Sequence, residues 1–282
     1  MRIEMEVLAE MGPWEWPEGA QNAIKEVLQN PGAAVAERAL AAELGGDLVV
    51  MDDEMARLLV GIVKSAQEPA RVRERAAIAL GPVLEECDIN GFDDEMLEAS
   101  IEEETFVEIQ EALQALYEDR SAPKGVRRRA LEAAVRAEDV WYEDAIREAY
   151  RSSDPEWKMT AVFCMRYVAG FDAQILEALR SKNADIECEA VRTAASRGLE
   201  KAWPHVRKRL AEDGGGDRDV LLTAIAAAGE LCPGEEQEIL KRFLGFKDEE
   251  VAEAAEEALD TINTGGRDVD GIWDEEEEED LR

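Results

Sequence analysis

The sequence predicts an all-α protein, an α-solenoid that winds about seven helix hairpins into a right-handed superhelix. Three observations carry that expectation. An apolar residue followed four positions later by alanine recurs as Val35/Ala39, Val72/Ala76, Val126/Ala130, Trp157/Ala161, Ile186/Ala190, Val220/Ala224 and Val251/Ala255. The first members lie 37, 54, 31, 29, 34 and 31 residues apart, a spacing that suits one helix pair per unit. Residues suited to opening a helix precede these elements: Asn30-Pro31, Pro69, Pro123, Asp154-Pro155, Asp185, Asp217 and Asp248.

The chain divides into a cap (1–16), a solenoid (17–263) with an acidic insertion near 85–105, and a tail (264–282). In the cap, Trp14 and Trp16 stand between Pro13 and Pro17 and are expected to pack over the open end of the first hairpin, since terminal repeats need a different outer face. First helices are predicted at about 17–29, 52–66, 102–119, 139–151, 172–181, 203–212 and 234–245. The second helices begin VAERALAAELG, VRERAAIALG, VRRRALEAAV, WKMTAVFCMRYVAG, IECEAVRTAA, VLLTAIAAAGEL and VAEAAEEALDTI. Their positions 0, +4, +7 or +8 and +11 form one apolar stripe at 100° per residue. Alanine recurs because a methyl lets two helices cross closely, and a larger group would force them apart at about 1–3 kcal/mol. The insertion, ECDINGFDDEMLEASIEEET, predicts a longer surface loop or an extra helix; its glycine and phenylalanine fall at the wrong places for a calcium loop. The tail leaves the repeat pattern, and its seven consecutive acids, Asp274 to Asp280, predict disorder.

The pattern resembles the HEAT family, in particular the short bacterial HEAT-like repeats also found in phycobilisome lyase subunits. VRERAAIALG, with its valine-arginine start, and LEKAWPHVRKRLAED, with a proline inside a first helix, carry the resemblance, which extends over about residues 17–263. It implies a fold whose second helices line a concave surface, and it specifies function weakly. HEAT-like deoxyhypusine hydroxylases hold two irons with repeated His-Glu pairs, which one histidine cannot supply.

Composition narrows the function classes. Acids number 66 and bases 32, giving a net charge of −34 that repels nucleic acid. No run of about 18 apolar residues marks a membrane span, and the amino terminus is too acidic for a signal peptide, so a cytoplasmic location is expected. Cys87, Cys164, Cys188 and Cys232 form no CxxC pair and read as reduced, mostly buried hydrophobes. His205, between basic residues, reads as a surface residue. No phosphate loop, nucleophile elbow or HExxH is present, so no catalytic residue, metal or cofactor is expected.

Candidate binding residues come from the side of each second helix opposite the core, at +2, +6 and +9. Acids dominate there in the last unit, whereas the middle units offer Arg128, Met159, Phe163, Arg166, Arg192 and Leu222. An apolar groove studded with arginine would select a carboxylate-bearing peptide with an aromatic or aliphatic anchor. The competing reading is that neighbouring helices widen the stripe and adjacent acids neutralise the arginines. Arg73, Arg127 and Lys158, at +1, are expected to pair with an aspartate of the next repeat turn. Ile272 and Trp273, followed by DEEEEED, make the tail itself a candidate ligand.

The expected function is a non-enzymatic scaffold or adaptor that binds a protein or peptide in its concave groove, its own tail included. Two alternatives stand beside it. The lyase resemblance implies a bilin-lyase-like enzyme or accessory subunit, and the charge allows an acidic decoy for basic proteins.

Overall fold

The computed structural model describes residues 3–92, 99–212, 217–231 and 234–263, and the regular structure of these residues is entirely helical. The chain divides into two compact units, Met1–Ser152 and Ser153–Arg282.

The first unit contains α1 (Met5–Ala9), a 3-10 turn at Pro13–Glu15, α2 (Ala20–Gln29), α3 (Val35–Leu44), α4 (Asp53–Lys64), α5 (Ala70–Ala79), α6 (Gly81–Asn90), α7 (Glu103–Glu118), α8 (Lys124–Ala134) and α9 (Tyr142–Arg151). Hairpins form where α2 meets α3, α4 meets α5 and α7 meets α8. The second helices then stack in order, α3 on α5 and α5 on α8, while the first helices make a parallel layer of α2, α4 and α7. This nearest-neighbour packing of two layers is the α-solenoid arrangement. The insertion contributes α6, which leans on α8 without separating α8 from α5.

The second unit contains α10 (Pro155–Cys164), α11 (Asp172–Ala178), α12 (Ala184–Ser196), a 3-10 turn at Glu200–Ala202, α13 (Trp203–Ala211), α14 (Arg218–Leu231), α15 (Glu236–Leu240), a 3-10 turn at Lys241–Phe243, and α16 (Glu249–Asn263). Its second helices stack as α10, α12, α14 and α16, and α11, α13 and α15 pair with the helix that follows each.

All seven repeat alanines are interior: Ala39 is 2 % exposed, and Ala76, Ala130, Ala161, Ala190, Ala224 and Ala255 are 0 % exposed. Two glycines extend the same steric logic. A Cβ on Gly46 would lie 2.7 Å from the Ala79 Cβ, and one on Gly229 would lie 3.1 Å from the Ala258 Cα. The turn after α3 therefore meets the α5 backbone at Gly46, and α14 meets the α16 backbone at Gly229.

Helix starts follow the expected polar residues with two corrections. Asp154, Asp217 and Asp248 accept hydrogen bonds from N–H groups in the first turns of α10, α14 and α16, and Asp52, not among the expected residues, does the same for the first helix α4. Asn183 rather than Asp185 caps α12, accepting from Asp185 and Ile186. Asn30 closes the turn after α2, accepting from the Gly32 N–H, because α3 begins five residues later.

Two other expectations fail at the amino terminus. α1 packs on α3 and buries Met5 and Leu8, but Trp14 is 83 % exposed, its ring lying beside Gly12. Trp16 is half-buried and donates its indole N–H to the Leu8 carbonyl. Val35, the first repeat valine, is 44 % exposed because no preceding hairpin covers that turn of α3.

The +1 arginine Arg73 meets expectation in part: Ser121 hydrogen bonds hold the Asp119 carboxyl, in the next hairpin turn, below its ordinary value, and Arg73 adds to that pull. The main bonds of the buried arginines are to carbonyls. Arg73 donates from Nε and Nη2 to the Val63 carbonyl, and Arg127 donates from Nε to the Tyr117 carbonyl, each ten residues back in the last turn of its own first helix. Arg38 does the same to Leu28. Carbonyls at a helix end lack intrahelical donors, and a buried guanidinium supplies them.

Candidate functional site

Five of the six expected groove residues fall in the second unit, on α10, α12 and α14 or just beyond α10. Arg128 belongs to the first unit, where it is buried and lies 3.9 Å from Glu132 on its own helix. Glu132 is also held by Arg129. Ile272 and Trp273 lie outside the described residues.

α10 ends at Cys164 because the chain tightens into successive turns, carrying Arg166 and Tyr167 onto the exposed side. Phe163 tilts against Tyr167 with ring centroids 5.7 Å apart, and the Arg166 guanidinium lies over the Phe163 ring at 5.3 Å. Such a cation over an aromatic face is worth about 0.5–1 kcal/mol at an exposed site. From there Arg166 donates from Nη2 to Glu189 at 3.2 Å. Arg192 approaches the second oxygen of Glu189 at 3.5 Å and donates from Nη2 to the Thr223 hydroxyl at 3.4 Å. The Thr223 hydroxyl donates in turn to the Asp219 carbonyl.

A connected row, Phe163–Arg166–Glu189–Arg192–Thr223, thus crosses three consecutive second helices. The shared carboxylate is the least exposed of its charges: side chains are 13 % exposed at Glu189, 25 % at Arg166 and 52 % at Arg192. Met159 and Leu222 flank it half-buried. Two guanidinium groups share one carboxylate, so donors remain on both after Glu189 is satisfied. Arg166 Nε is buried and makes no hydrogen bond among the described residues. Burial raises the Glu230 carboxyl above its ordinary value, with Arg166 pulling the other way.

Sequence reasoning missed a second cluster. Glu187 is 4 % exposed and takes a bidentate pair from Arg209 at 2.5 and 3.0 Å, with His205 Nε2 2.8 Å away. His205, expected at the surface, is therefore largely buried in an ion-pair cluster between α12 and α13. The available signal was Glu187 itself, an acid at the +1 register where Arg73 and Arg127 stand. Burial raises the Cys188 thiol, and the Thr223 hydrogen bond opposes that shift. Cys87, Cys164 and Cys188 are buried, and Cys232 lies outside the described residues.

Among the described residues, no group of three His, Cys, Asp or Glu side chains is placed to hold a metal ion. No helix of these residues is long and apolar enough to cross a membrane.

No protein-family model matches the chain. No curated protein matches it either. Among solved structures, it is similar to the YibA protein of E. coli, with 17 % identity and a TM-score of 0.45 over 92 % of this chain and 85 % of that one. It is similar to human deoxyhypusine hydroxylase in complex with glycerol, with 16 % identity and a TM-score of 0.40 over 93 % and 96 % of the two chains. An engineered protein shows 19 % identity and a TM-score of 0.43 over 93 % and 78 %.

Proposed function

We propose that the protein is a non-enzymatic interaction scaffold whose second unit binds a protein segment across the faces of α10, α12 and α14. The observation that carries this reading is the row in which Phe163 backs Arg166 while Arg166 and Arg192 share Glu189. An acidic residue of a partner bonds the remaining guanidinium donors, and an aromatic or aliphatic side chain packs on Met159, Phe163 and Leu222. Glu189 holds both guanidinium groups in place before the partner arrives, which reduces the ordering cost of binding. Arg128, buried and paired in the first unit, takes no part.

A display library of peptides with one aromatic residue flanked by Asp and Glu tests the reading. Enriched peptides should bind Phe163→Ala about tenfold more weakly even in 0.5 M salt, and Arg166→Ala more weakly chiefly at low salt. Failure to enrich any such peptide sinks the proposal. Binding of basic proteins that collapses with salt and ignores Phe163 would support the acidic decoy instead.

A further inference from the structure

Trp14 is the most exposed aromatic side chain among the described residues, yet the turn that carries it is closely held. The Glu15 N–H donates to the Gly12 carbonyl at 2.8 Å, and the Gly12 N–H donates to the Glu15 carboxylate at 3.4 Å. The Trp16 indole N–H reaches the Leu8 carbonyl at 2.9 Å and ties the turn to the end of α1. Pro13 and Pro17 restrict the backbone on either side. The Trp14 ring is seated on Gly12, where a Cβ would lie 2.6 Å from Cζ2. The indole thus rests against a glycine backbone with most of its surface in solvent, and a partner meeting it has little ordering cost to overcome.

The charge around this turn has one sign. Residues 3–24 contain Glu4, Glu6, Glu10, Glu15 and Glu18 and no lysine or arginine. None of the five forms an ion pair among the described residues. The first base after them, Lys25, is buried and paired with Asp52 and Glu54. Elsewhere in the first unit exposed acids meet bases, as Glu43 meets Arg75, Glu108 meets Lys64 and Glu148 meets Arg120. The unpaired acids of the turn are therefore a local feature rather than a sample of the chain's overall charge. Carboxylates alone select little, but carboxylates around an open indole select a cation that can lie on a ring. Arginine suits this better than lysine, since a planar guanidinium stacks on the ring and still has donors for carboxylates.

We infer that the amino-terminal turn is a docking site for a basic, arginine-bearing segment of a partner protein, with one guanidinium against Trp14 and neighbouring bases near Glu10, Glu15 and Glu18. Like charge turns away the other occupants at hand: a second copy of this chain carries −34, and the chain's own Asp274–Asp280 run is acidic throughout. This site takes a segment of opposite charge to the one proposed for Arg166 and Arg192, and it does not rest on that proposal.

Fluorine NMR of the intact chain labelled with 5-fluorotryptophan, titrated with a synthetic peptide of six Arg-Gly repeats in 0.15 M salt, tests the inference. The chain has six tryptophans, and Trp14→Phe assigns the relevant resonance. The Trp14 resonance should move and saturate. The same peptide with lysine for arginine should raise the midpoint of that movement about threefold. Gly12→Ala keeps an ordinary backbone at φ −64° but unseats the ring, and should raise the midpoint by a similar factor. Glu10→Gln with Glu18→Gln should raise it chiefly at low salt. A Trp14 resonance that stays in place throughout, with the peptide bound elsewhere or not at all, overturns the inference. So does a midpoint indifferent both to Gly12→Ala and to the exchange of arginine for lysine, which would show that diffuse charge alone holds the peptide. Phe163→Ala, which tests the scaffold proposal, should leave the titration unchanged.

Discussion

The two units solve one packing problem in opposite ways. In the first, the first helices α2, α4 and α7 run 10, 12 and 16 residues, and a buried arginine from the same hairpin closes the carbonyl end of each. In the second, α11, α13 and α15 run only 7, 9 and 5 residues. There the end of α13 is closed from the next hairpin, by Arg242 donating to the Leu210 carbonyl 32 residues back. At the register of Arg73 and Arg127, the second unit places Glu187, which reaches across to Arg209 and His205 on α13. Helices this short are not stable alone. First-unit hairpins close their first helices from within and are tied to the next hairpin by pairs such as Arg38–Glu68 and Lys25–Asp52, whereas α13 takes even its closing donor from the hairpin that follows.

The contrast predicts a graded set of mutational effects. The largest belongs to Glu187→Ala, which leaves His205 without its acid and Arg209 with Glu212 alone. Breaking a buried pair costs about 3–5 kcal/mol, and the part-exposed Arg209 places this case near the lower end. Urea unfolding followed at the tryptophans should show it, and a loss below about 0.5 kcal/mol would remove Glu187 as a support of the second unit. Next comes Arg73→Met, which leaves the buried Val63 carbonyl without its two donors and should cost about 2 kcal/mol. Hydrogen exchange should localise the loss to the end of α4. Unchanged protection there would show that water replaces the guanidinium.

Two glycine substitutions should act with opposite sign. Gly229→Ala drives a methyl against the α16 backbone and should destabilise by about 1 kcal/mol, whereas Gly61→Ala, in open space on α4, should stabilise by roughly 0.5–1 kcal/mol. Equal signs in thermal melts would refute the backbone contact between α14 and α16. The smallest effect is on pH dependence. Burial pushes the Asp52 carboxyl up, but the Met55 N–H, Lys25 and Gln21 outweigh it and hold it below its ordinary 3.8. That stabilisation is present above pH 3.8 and is lost as pH falls through the lower folded value. Asp52→Asn should narrow the difference in melting midpoint between pH 7 and pH 3, and an unaltered difference would show that other carboxylates dominate.

Much of this architecture was legible because a helix stripe is a one-dimensional signal. Val72/Ala76 or Ile186/Ala190 announces both the helix and its buried side, and predicted first helices such as 103–118 within 102–119 needed only the spacing between stripes. Partner choice was not legible in the same way. The aspartate expected near Arg73 is there, as Asp119, but the carbonyls that Arg73 and Arg127 bond were not legible, because sequence shows charges and not carbonyl ends, although the turn of a hairpin brings residue i beside residue i−10. His205 looked exposed because its sequence neighbours are basic, while the acid that holds it is 18 residues away on another helix. Trp14 looked like core because aromatic rings usually are. At the candidate site, the sequence picked out Phe163, Arg166 and Arg192 but not Glu189, an ordinary acid among 66 until the fold sets it between two arginines.

The extra helix α6 bears on what the array can accommodate. α5 and α8 remain in contact across an interval of 54 residues, just as α3 and α5 do across 37. Additional polypeptide at that junction is carried outside the line of stacked helices and leaves their register intact. The stretch between α5 and α7 is accordingly the natural place to splice in a reporter domain, with continuity of the array on either side as the measure of success.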